Sequence, residues 1–259
     1  MTISASALLT YSIIFVFGLV VGSFINVVIY RVPRGESVVT ERSHCVSCGK
    51  ILSAAELIPV ISYIILRGRC RQCKSSISPL YPAVEILVGL LFLSIFFKYS
   101  FSFEFLCYSI FFALLIGAGI IDVQWMIIPN RLIFYSLVIA TLAFSYNIIR
   151  PMAIYGGNQS PFLPLMGLLP GAVFFFLIYV VSFFIFKKEN SIGMGDIKLL
   201  IPIGIILGFD RCLFAVFISI ISGGVIGLAL IILGIKKRRD SISFGPFLVI
   251  GSYIALLLS

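Results

Sequence analysis

The chain has 259 residues, of which 61% are hydrophobic and 11% charged, with a mean hydropathy of +1.18 and a net charge of +9. This is far more apolar surface than one soluble core could bury, so the composition excludes an ordinary soluble domain and predicts a membrane protein. The positive charge does not indicate nucleic-acid binding, because no basic motif with stacked aromatic residues accompanies it.

Apolar runs long enough to cross the bilayer predict an all-α polytopic membrane protein with about eight transmembrane helices. The first run lacks a preceding basic segment and continues into the body of the protein, as a retained span rather than a signal peptide does. The sixth run is short, and Pro202 and Gly204 are expected to kink it. The predicted spans are residues 7–30, 83–98, 103–121, 131–148, 162–186, 196–208, 211–234 and 242–258.

The basic residues orient these spans. If Met1 lies outside and the spans alternate, only Lys98, Arg150 and Arg211 of the 19 lysines and arginines remain on the outer side. The positive-inside rule therefore predicts that both termini face out. The inner basic residues, which also favour contact with anionic membrane lipid, are Arg31, Arg34, Arg42, Lys50, Arg67, Arg69, Arg71, Lys74, Arg131, Lys187, Lys188, Lys198, Lys236, Lys237, Arg238 and Arg239.

The loop after the first span contains two C-x2-C pairs, Cys45 with Cys48 and Cys70 with Cys73, separated by 21 residues. This spacing is typical of a structural zinc site with four thiolate ligands, and a reducing cytoplasm favours metal over disulfides. A loop of about 50 residues has little core, so zinc would supply much of its folding free energy. A catalytic zinc, or His44 as a replacement ligand, is the alternative.

Two of the four aspartates stand at the ends of predicted spans. Asp122 closes the third span and Asp196 opens the sixth, so alternating topology places both at the cytoplasmic edge, where an acid is costly and indicates a functional site. If two such carboxyl groups share one proton, the charged one can activate water while the protonated one donates to a carbonyl oxygen. The pair predicts acid–base peptide hydrolysis.

The glycines before the second aspartate fit this chemistry. Gly193 and Gly195 are expected to take backbone conformations closed to other residues and to let a substrate strand approach closely. Each aspartate also has an ordinary structural explanation that stays open. Asp196 could cap the N-terminus of its helix, and Asp122 could be a solvated residue of the loop that follows.

Other functional classes also stay open on the residues alone. A nucleophilic Ser–His or Cys–His system is not among them, because the single histidine, His44, would have to reach a nucleophile in the membrane and the sequence has no Gly-x-Ser-x-Gly motif. A proton- or ion-coupled membrane transporter could use the same aspartates, but it would place acids nearer the midplane and show matched broken helices in two halves. A non-catalytic assembly subunit would use the zinc loop only to dock a cytoplasmic partner.

Taken in order, these motifs resemble the type IV prepilin peptidases, which are membrane aspartyl proteases of the GxGD type. The likeness covers the chain almost from end to end. Two small departures are Asn130, where many relatives have Asp, and Val46, where they often have Pro. The matching segments are the two cysteine pairs and residues 22–31, 57–59, 66–70, 81–85, 122–129, 193–199 and 244–247.

The resemblance implies that Asp122 and Asp196 are the catalytic residues and that the four loop cysteines bind structural zinc. It implies a multi-pass enzyme of the bacterial inner membrane that removes the basic leader of type IV prepilins or type II secretion pseudopilins, after a glycine and on the cytoplasmic side. It also implies N-methylation of the new N-terminus with S-adenosylmethionine, for which no binding residue is identified. No nucleic-acid partner is expected.

We expect three parts in the chain. These are a first transmembrane helix (1–30), a cytoplasmic zinc-binding loop domain (31–82) and a membrane peptidase core of about seven helices (83–259). Glu85 lies near the inner end of the second span. It is expected to pair with a basic residue of the loop or to contribute to the methylation site.

Overall fold

The computed structural model describes residues 5–155, 162–186, 193–237 and 240–258. These residues form helices and no strand, which confirms the all-α class. Within them, six helical segments are long and apolar enough to cross a bilayer. The helices are α1 (Ala5–Arg31), α2 (Ile61–Ile65), α3 (Leu80–Tyr99), α4 (Phe103–Trp125), α5 (Asn130–Ile149), α6 (Leu163–Met166), α7 (Phe174–Phe186), α8 (Met194–Ile232) and α9 (Gly245–Leu257).

The predicted spans correspond to these helices with shifted ends. A π-helical turn, Leu169–Val173, joins α6 to α7 within the fifth predicted span. The sixth and seventh predicted spans correspond to the two halves of α8, which are separated by a break at Gly208. The last helix, α9, has only 13 residues and is shorter than a usual span. Of the residues that orient the spans, Lys187, Lys188, Arg238 and Arg239 lie outside the described residues.

The long helix α8 breaks at Gly208, whose φ of 72° and ψ of −175° are open only to glycine. The predicted kink at Pro202 or Gly204 is therefore wrong, because both residues lie within the regular first half of α8. Gly204 instead allows close packing, since a Cβ at this position would strike the backbone of Gly167.

The break leaves carbonyl oxygens of α8 without helical partners. The Tyr155 hydroxyl lies 2.8 Å from the carbonyl oxygens of both Ile205 and Ile206 and donates to them. A side chain outside α8 thus satisfies backbone groups that would otherwise be buried and unpaired.

We expect Tyr155→Phe to destabilise the protein by about 1–3 kcal/mol, because it leaves buried carbonyl oxygens without a donor. The loss is measured as a lower thermal-unfolding midpoint in detergent. Tyr135→Phe is the matched control, since Tyr135 is 54% exposed on the surface of α5. Equal midpoints for the two variants would contradict a stabilising role for the Tyr155 hydroxyl.

Two compact units divide the chain at Ser109 and Ile110. In the first unit, α1 and α3 approach closely because glycines line their contact. A Cβ on Gly18 would lie 2.8 Å from the Cα of Gly89, and one on Gly22 would lie 2.7 Å from the Cα of Glu85. This packing places Glu85 directly beside α1.

In the second unit, α9 is held against both α8 and α4. The Ser219 hydroxyl on α8 lies 2.9 Å from the Phe247 carbonyl oxygen on α9 and donates to it. On α4, Gly119 leaves room for Pro246, whose Cα would lie 3.4 Å from a Cβ at position 119. The start of α9 is thereby fixed next to the C-terminal end of α4.

Candidate active site

The two predicted carboxyl groups both lie in the second unit, each at the end of a helix. Asp122 lies in the last turn of α4 and is 6% exposed, while Asp196 lies in the first turn of α8 and is 9% exposed. They are close enough to interact electrostatically, and in the described part of the chain no direct hydrogen bond joins them. The alternative that Asp122 is a solvated loop residue is wrong, because it is helical and buried.

A third helix end contributes to the environment of Asp122. The backbone N–H of Gly245, the first residue of α9, donates to Asp122 Oδ2 at 3.0 Å. Only glycine fits here without movement, since a Cβ would lie 2.8 Å from the same oxygen. The partial positive charge at the start of α9 acts in the same direction as this hydrogen bond. Both stabilise a negative charge on Asp122.

Sequence reasoning assigned Gly245 no role of its own. Its segment was identified only through the family resemblance. The available signal was the Gly245-Pro246 pair, because proline favours the first turn of a helix. That signal predicts where α9 starts but not which carboxylate its first N–H contacts.

Asp196 has a different environment. Its Oδ1 is buried and has no hydrogen-bond partner among the described residues. The capping explanation is wrong, since Gly193 is the residue before α8 and Asp196 is the third residue within it, with no side-chain cap. The two carboxyl groups thus differ: one accepts a backbone hydrogen bond, and the other has a buried oxygen without a hydrogen-bond partner among the described residues.

Gly193 and Gly195 are needed for space rather than for unusual dihedral angles. Gly193 has φ −65° and ψ 123°, which any residue can adopt, and Gly195 has no positive φ. The predicted special conformation is therefore wrong. A Cβ on Gly193 would lie 2.8 Å from Asp196 Oδ2, and one on Gly195 would lie 3.2 Å from the Cβ of Ile128.

A polar contact ties the start of α8 to the start of α5. Lys198 Nζ donates to Asn130 Oδ1 at 3.2 Å, and both side chains are exposed. Asn130 follows the loop that places Ile128 against Gly195. Asn130 is thus a neutral acceptor that helps to position the two segments bearing the carboxyl groups.

The four loop cysteines form one cluster in the first unit. The sulfur atoms of Cys45, Cys48, Cys70 and Cys73 all lie within 4.8 Å of one another. The Cys45 and Cys73 sulfurs are 3.9 Å apart, against about 3.8 Å for tetrahedral ligands at the usual Zn–S distance. Backbone N–H groups of Cys48 and Ser47 lower the pKa of the Cys45 thiol to about 6, which favours the metal-binding thiolate. The cluster therefore fits a zinc ion.

The cluster is built from two equivalent hairpins. The Cys45 N–H donates to the Lys50 carbonyl oxygen, and the Cys70 N–H donates to that of Ser75, each at 2.8 Å. Short antiparallel bridges flank both cysteine pairs, joining His44 to Ile51 and Arg69 to Ser76. The His44 side chain does not belong to the cluster. These hairpins correspond to the predicted pair of zinc knuckles.

Glu85 does not pair with a basic loop residue as expected. It is buried, and its Oε2 accepts the backbone N–H of Val60 at 2.7 Å. The side chain of Ser23 on α1 lies close to this carboxyl group. Glu85 therefore joins the loop to α1 and α3.

Comparisons with known proteins find similarity over nearly the whole chain. Residues 16–99 match the model of the bacterial peptidase A24 N-terminal domain, and residues 109–228 match that of the type IV leader peptidase family. A protein of Bacillus subtilis is 32% identical over 246 residues, covering 95% of this chain and 93% of the relative.

Similar proteins from other organisms cover the chain as fully. A protein of Aeromonas hydrophila is 30% identical over 96% of this chain and 91% of its own length. One of Pseudomonas putida is 30% identical over 93% and 88%. All three relatives are named prepilin leader peptidase/N-methyltransferase. No solved structure matches the chain significantly.

Proposed function

The chain belongs to the type IV leader peptidase family, and we propose that it hydrolyses the leader from type IV prepilins or type II secretion pseudopilins with Asp122 and Asp196 as its catalytic pair. The observation that carries this proposal is that two buried carboxyl groups, at the ends of α4 and α8, lie near enough to interact electrostatically. Family membership gives no support to the transporter alternative. Burying two carboxyl groups at a membrane edge costs free energy, and a role in peptide hydrolysis would explain why both are present.

The hydrogen bonds support different roles for the two carboxyl groups. When the pair holds one proton, Asp122 is the charged member, because the Gly245 N–H donates to it. Asp122 takes a proton from water as the water oxygen attacks the scissile carbonyl carbon. Asp196 carries its proton on the carboxyl group with the unpartnered oxygen and donates it to the carbonyl oxygen. Asp122 then gives the proton it took from water to the leaving amine as the C–N bond breaks, and the hydroxyl that received the Asp196 proton returns it to Asp196 as the new carboxyl group forms.

The substrate fits a site at the edge of a membrane. A prepilin has a basic leader and an apolar stem, so the stem can lie in the bilayer while the leader stays in water. The cleaved bond, after a glycine, would then lie at the depth of helix ends such as those bearing Asp122 and Asp196. This proposal includes a site at the cytoplasmic face of the inner membrane and termini on the outer face.

We infer a second reaction from the names of the relatives. In it, the new N-terminal amine takes a methyl group from S-adenosylmethionine and loses a proton. The described residues contain no strand–glycine loop–helix unit of the kind that binds dinucleotides. The chain's own residues therefore do not identify a binding site for this cofactor, and we assign none.

Zinc is proposed as a structural ion. All four ligand positions of the cluster are cysteines, so no coordination position is left for a reactive water. The division into a first helix (1–30), a zinc-binding loop domain (31–82) and a peptidase core (83–259) stays a prediction. So does the role of Gly193 and Gly195 in shaping the site around Asp196.

The direct test is cleavage of a prepilin-like peptide by the purified protein in lipid vesicles. Mass spectrometry of the products identifies the cleaved bond, and adding S-adenosylmethionine tests for a methylated new N-terminus. Cleavage after the glycine at the end of the basic leader is expected. If no prepilin or pseudopilin is cut by protein that is folded and contains zinc, the proposed function is wrong.

The role of the Gly245 N–H can be tested with two variants, one that keeps this donor and one that replaces its hydrogen with a ring carbon. Gly245→Ala retains the N–H, whereas Gly245→Pro removes it at a helix position that accepts proline. We expect the Pro variant to cleave about 10- to 100-fold more slowly than the Ala variant, because a hydrogen bond to a charged group is lost. In the pH profile of kcat/KM, the fall in activity on the acidic side should occur at higher pH for the Pro variant than for the Ala variant. Identical profiles for both variants would contradict the proposed charge on Asp122.

A further inference from the structure

The loop of the first unit exposes a compact group of large aliphatic side chains. Ile61, Ile64 and Ile65 of α2 are 55%, 66% and 73% exposed. They lie outside every helix that is long enough to cross the membrane. Such a group is costly in water and indicates a contact surface. We call it the apolar cluster; its members are Leu57, Ile58, Ile61, Ile64 and Ile65.

The backbone holds these side chains outward. Val60 precedes α2 with φ 60° and ψ −51°, and the Ile61 N–H donates to the Pro59 carbonyl oxygen to close a γ-turn. Positive φ is unfavourable for a β-branched residue, so this turn is strained. On the other side of α2, the Tyr63 ring folds back against Gly68. The backbone of the loop therefore fixes the outward direction of the apolar cluster.

A hydrogen bond to α3 sets the depth of this segment. The strained turn is held by Glu85, whose Oε2 accepts the Val60 N–H at 2.7 Å. A helix of 20 residues such as α3 is about 30 Å long, which equals the thickness of the hydrocarbon core. Glu85 is five residues from the start of α3, or about 7.5 Å along its axis. Helical side chains lean toward the N-terminus, so Val60 lies near the boundary between headgroups and hydrocarbon.

Positive charge follows the apolar cluster directly. Arg67, Arg69, Arg71 and Lys74 come within nine residues of Ile65, and all are exposed. Exposed aliphatic side chains next to exposed basic ones are the combination that binds an anionic membrane surface.

We propose that the apolar cluster inserts at the headgroup–hydrocarbon boundary of the leaflet that the loop faces, and that the adjacent basic residues contact anionic lipid phosphates. The zinc knuckles are then tethered to the bilayer at two places, by the helices that flank the loop and by the inserted cluster. This lipid contact does not depend on the proposed peptidase activity.

The test uses tryptophan fluorescence from inside the loop. The chain has one tryptophan, so Trp125→Phe gives a background without tryptophan emission, into which Ile65→Trp is introduced. Val39→Trp is the matched control, because Val39 is an aliphatic residue of the same loop and is 85% exposed. Both proteins are reconstituted in phosphatidylcholine–phosphatidylglycerol vesicles, with zinc content confirming a folded loop. Ile64→Trp replaces Ile65→Trp if the latter does not fold.

We expect the tryptophan introduced by Ile65→Trp to emit at shorter wavelength than the control and to show a several-fold lower acrylamide quenching constant. Lipids brominated on their acyl chains should quench it, and brominated phosphatidylglycerol should do so more than brominated phosphatidylcholine. Acrylamide quenching equal to the control would overturn the proposal. Protection from acrylamide without quenching by brominated lipid would also overturn it, because protein rather than lipid would then cover the cluster.

Discussion

Asp122→Asn and Asp196→Asn are each expected to reduce cleavage of a prepilin-like substrate by about 10²–10⁴-fold, the usual contribution of one general acid or base. Asparagine keeps the size of each side chain but cannot carry a proton between water, substrate and product. The double variant should be little worse than either single variant, because the two groups act as a unit. Initial rates in lipid vesicles measure the loss.

The matched control is Asp210→Asn. Asp210 lies in the second half of α8, two residues past the break at Gly208, and is exposed. Its replacement should leave cleavage within a factor of about two, as for most surface substitutions. All three variants should bind zinc as the parent does, which shows that the loop remains folded. If Asp122→Asn and Asp196→Asn both still cleave at the parent rate, the paired-carboxylate mechanism is wrong.

Replacing Cys48 or Cys73 with serine should release the zinc and unfold the knuckles. The loop has few buried apolar side chains, and structural zinc contributes about 10–16 kcal/mol of apparent binding free energy in small zinc-binding peptides. We expect about one zinc ion per chain in the parent and far less in each variant, with strongly faster proteolysis in the loop. Elemental analysis and timed limited digestion measure both effects.

Cys107→Ala separates loss of a ligand from loss of any cysteine. Cys107 is a buried free cysteine of α4 and is not part of the metal cluster. This variant should retain the zinc content and the slow loop digestion of the parent. A parent protein without bound zinc, or Cys48→Ser and Cys73→Ser proteins that keep it, would contradict the predicted site.

Features governed by local chemistry could be predicted from the sequence. Apolar length predicted the membrane-capable helices, and the C-x2-C spacing predicted that four sulfurs would meet. The positions of Asp122 and Asp196 at the ends of apolar runs identified them as candidates. Each of these patterns depends on residues close together in the chain, or on the cost of placing a charged group beside hydrocarbon.

Features governed by contacts between distant segments required the tertiary structure. The Gly245 N–H reaches Asp122 across 123 positions of the chain, so sequence spacing held no sign of which carboxyl group it would stabilise. Pro202 was the obvious candidate for a kink, yet the break lies at Gly208, where Tyr155 supplies the donor for the freed carbonyl oxygens. Glu85 holds a strained backbone turn rather than a basic side chain.

Sequence alone was enough to predict a membrane protein with a cluster of four cysteines that could hold a metal ion and with two acids at the ends of apolar spans. Three features depend on tertiary packing: the acids lie near enough to interact electrostatically, Asp122 rather than Asp196 accepts a backbone hydrogen bond among the described residues, and the apolar cluster faces outward. The physical reason is that hydrophobic length and ligand type are properties of single segments. Hydrogen-bond partners and burial arise only when separate helices pack together.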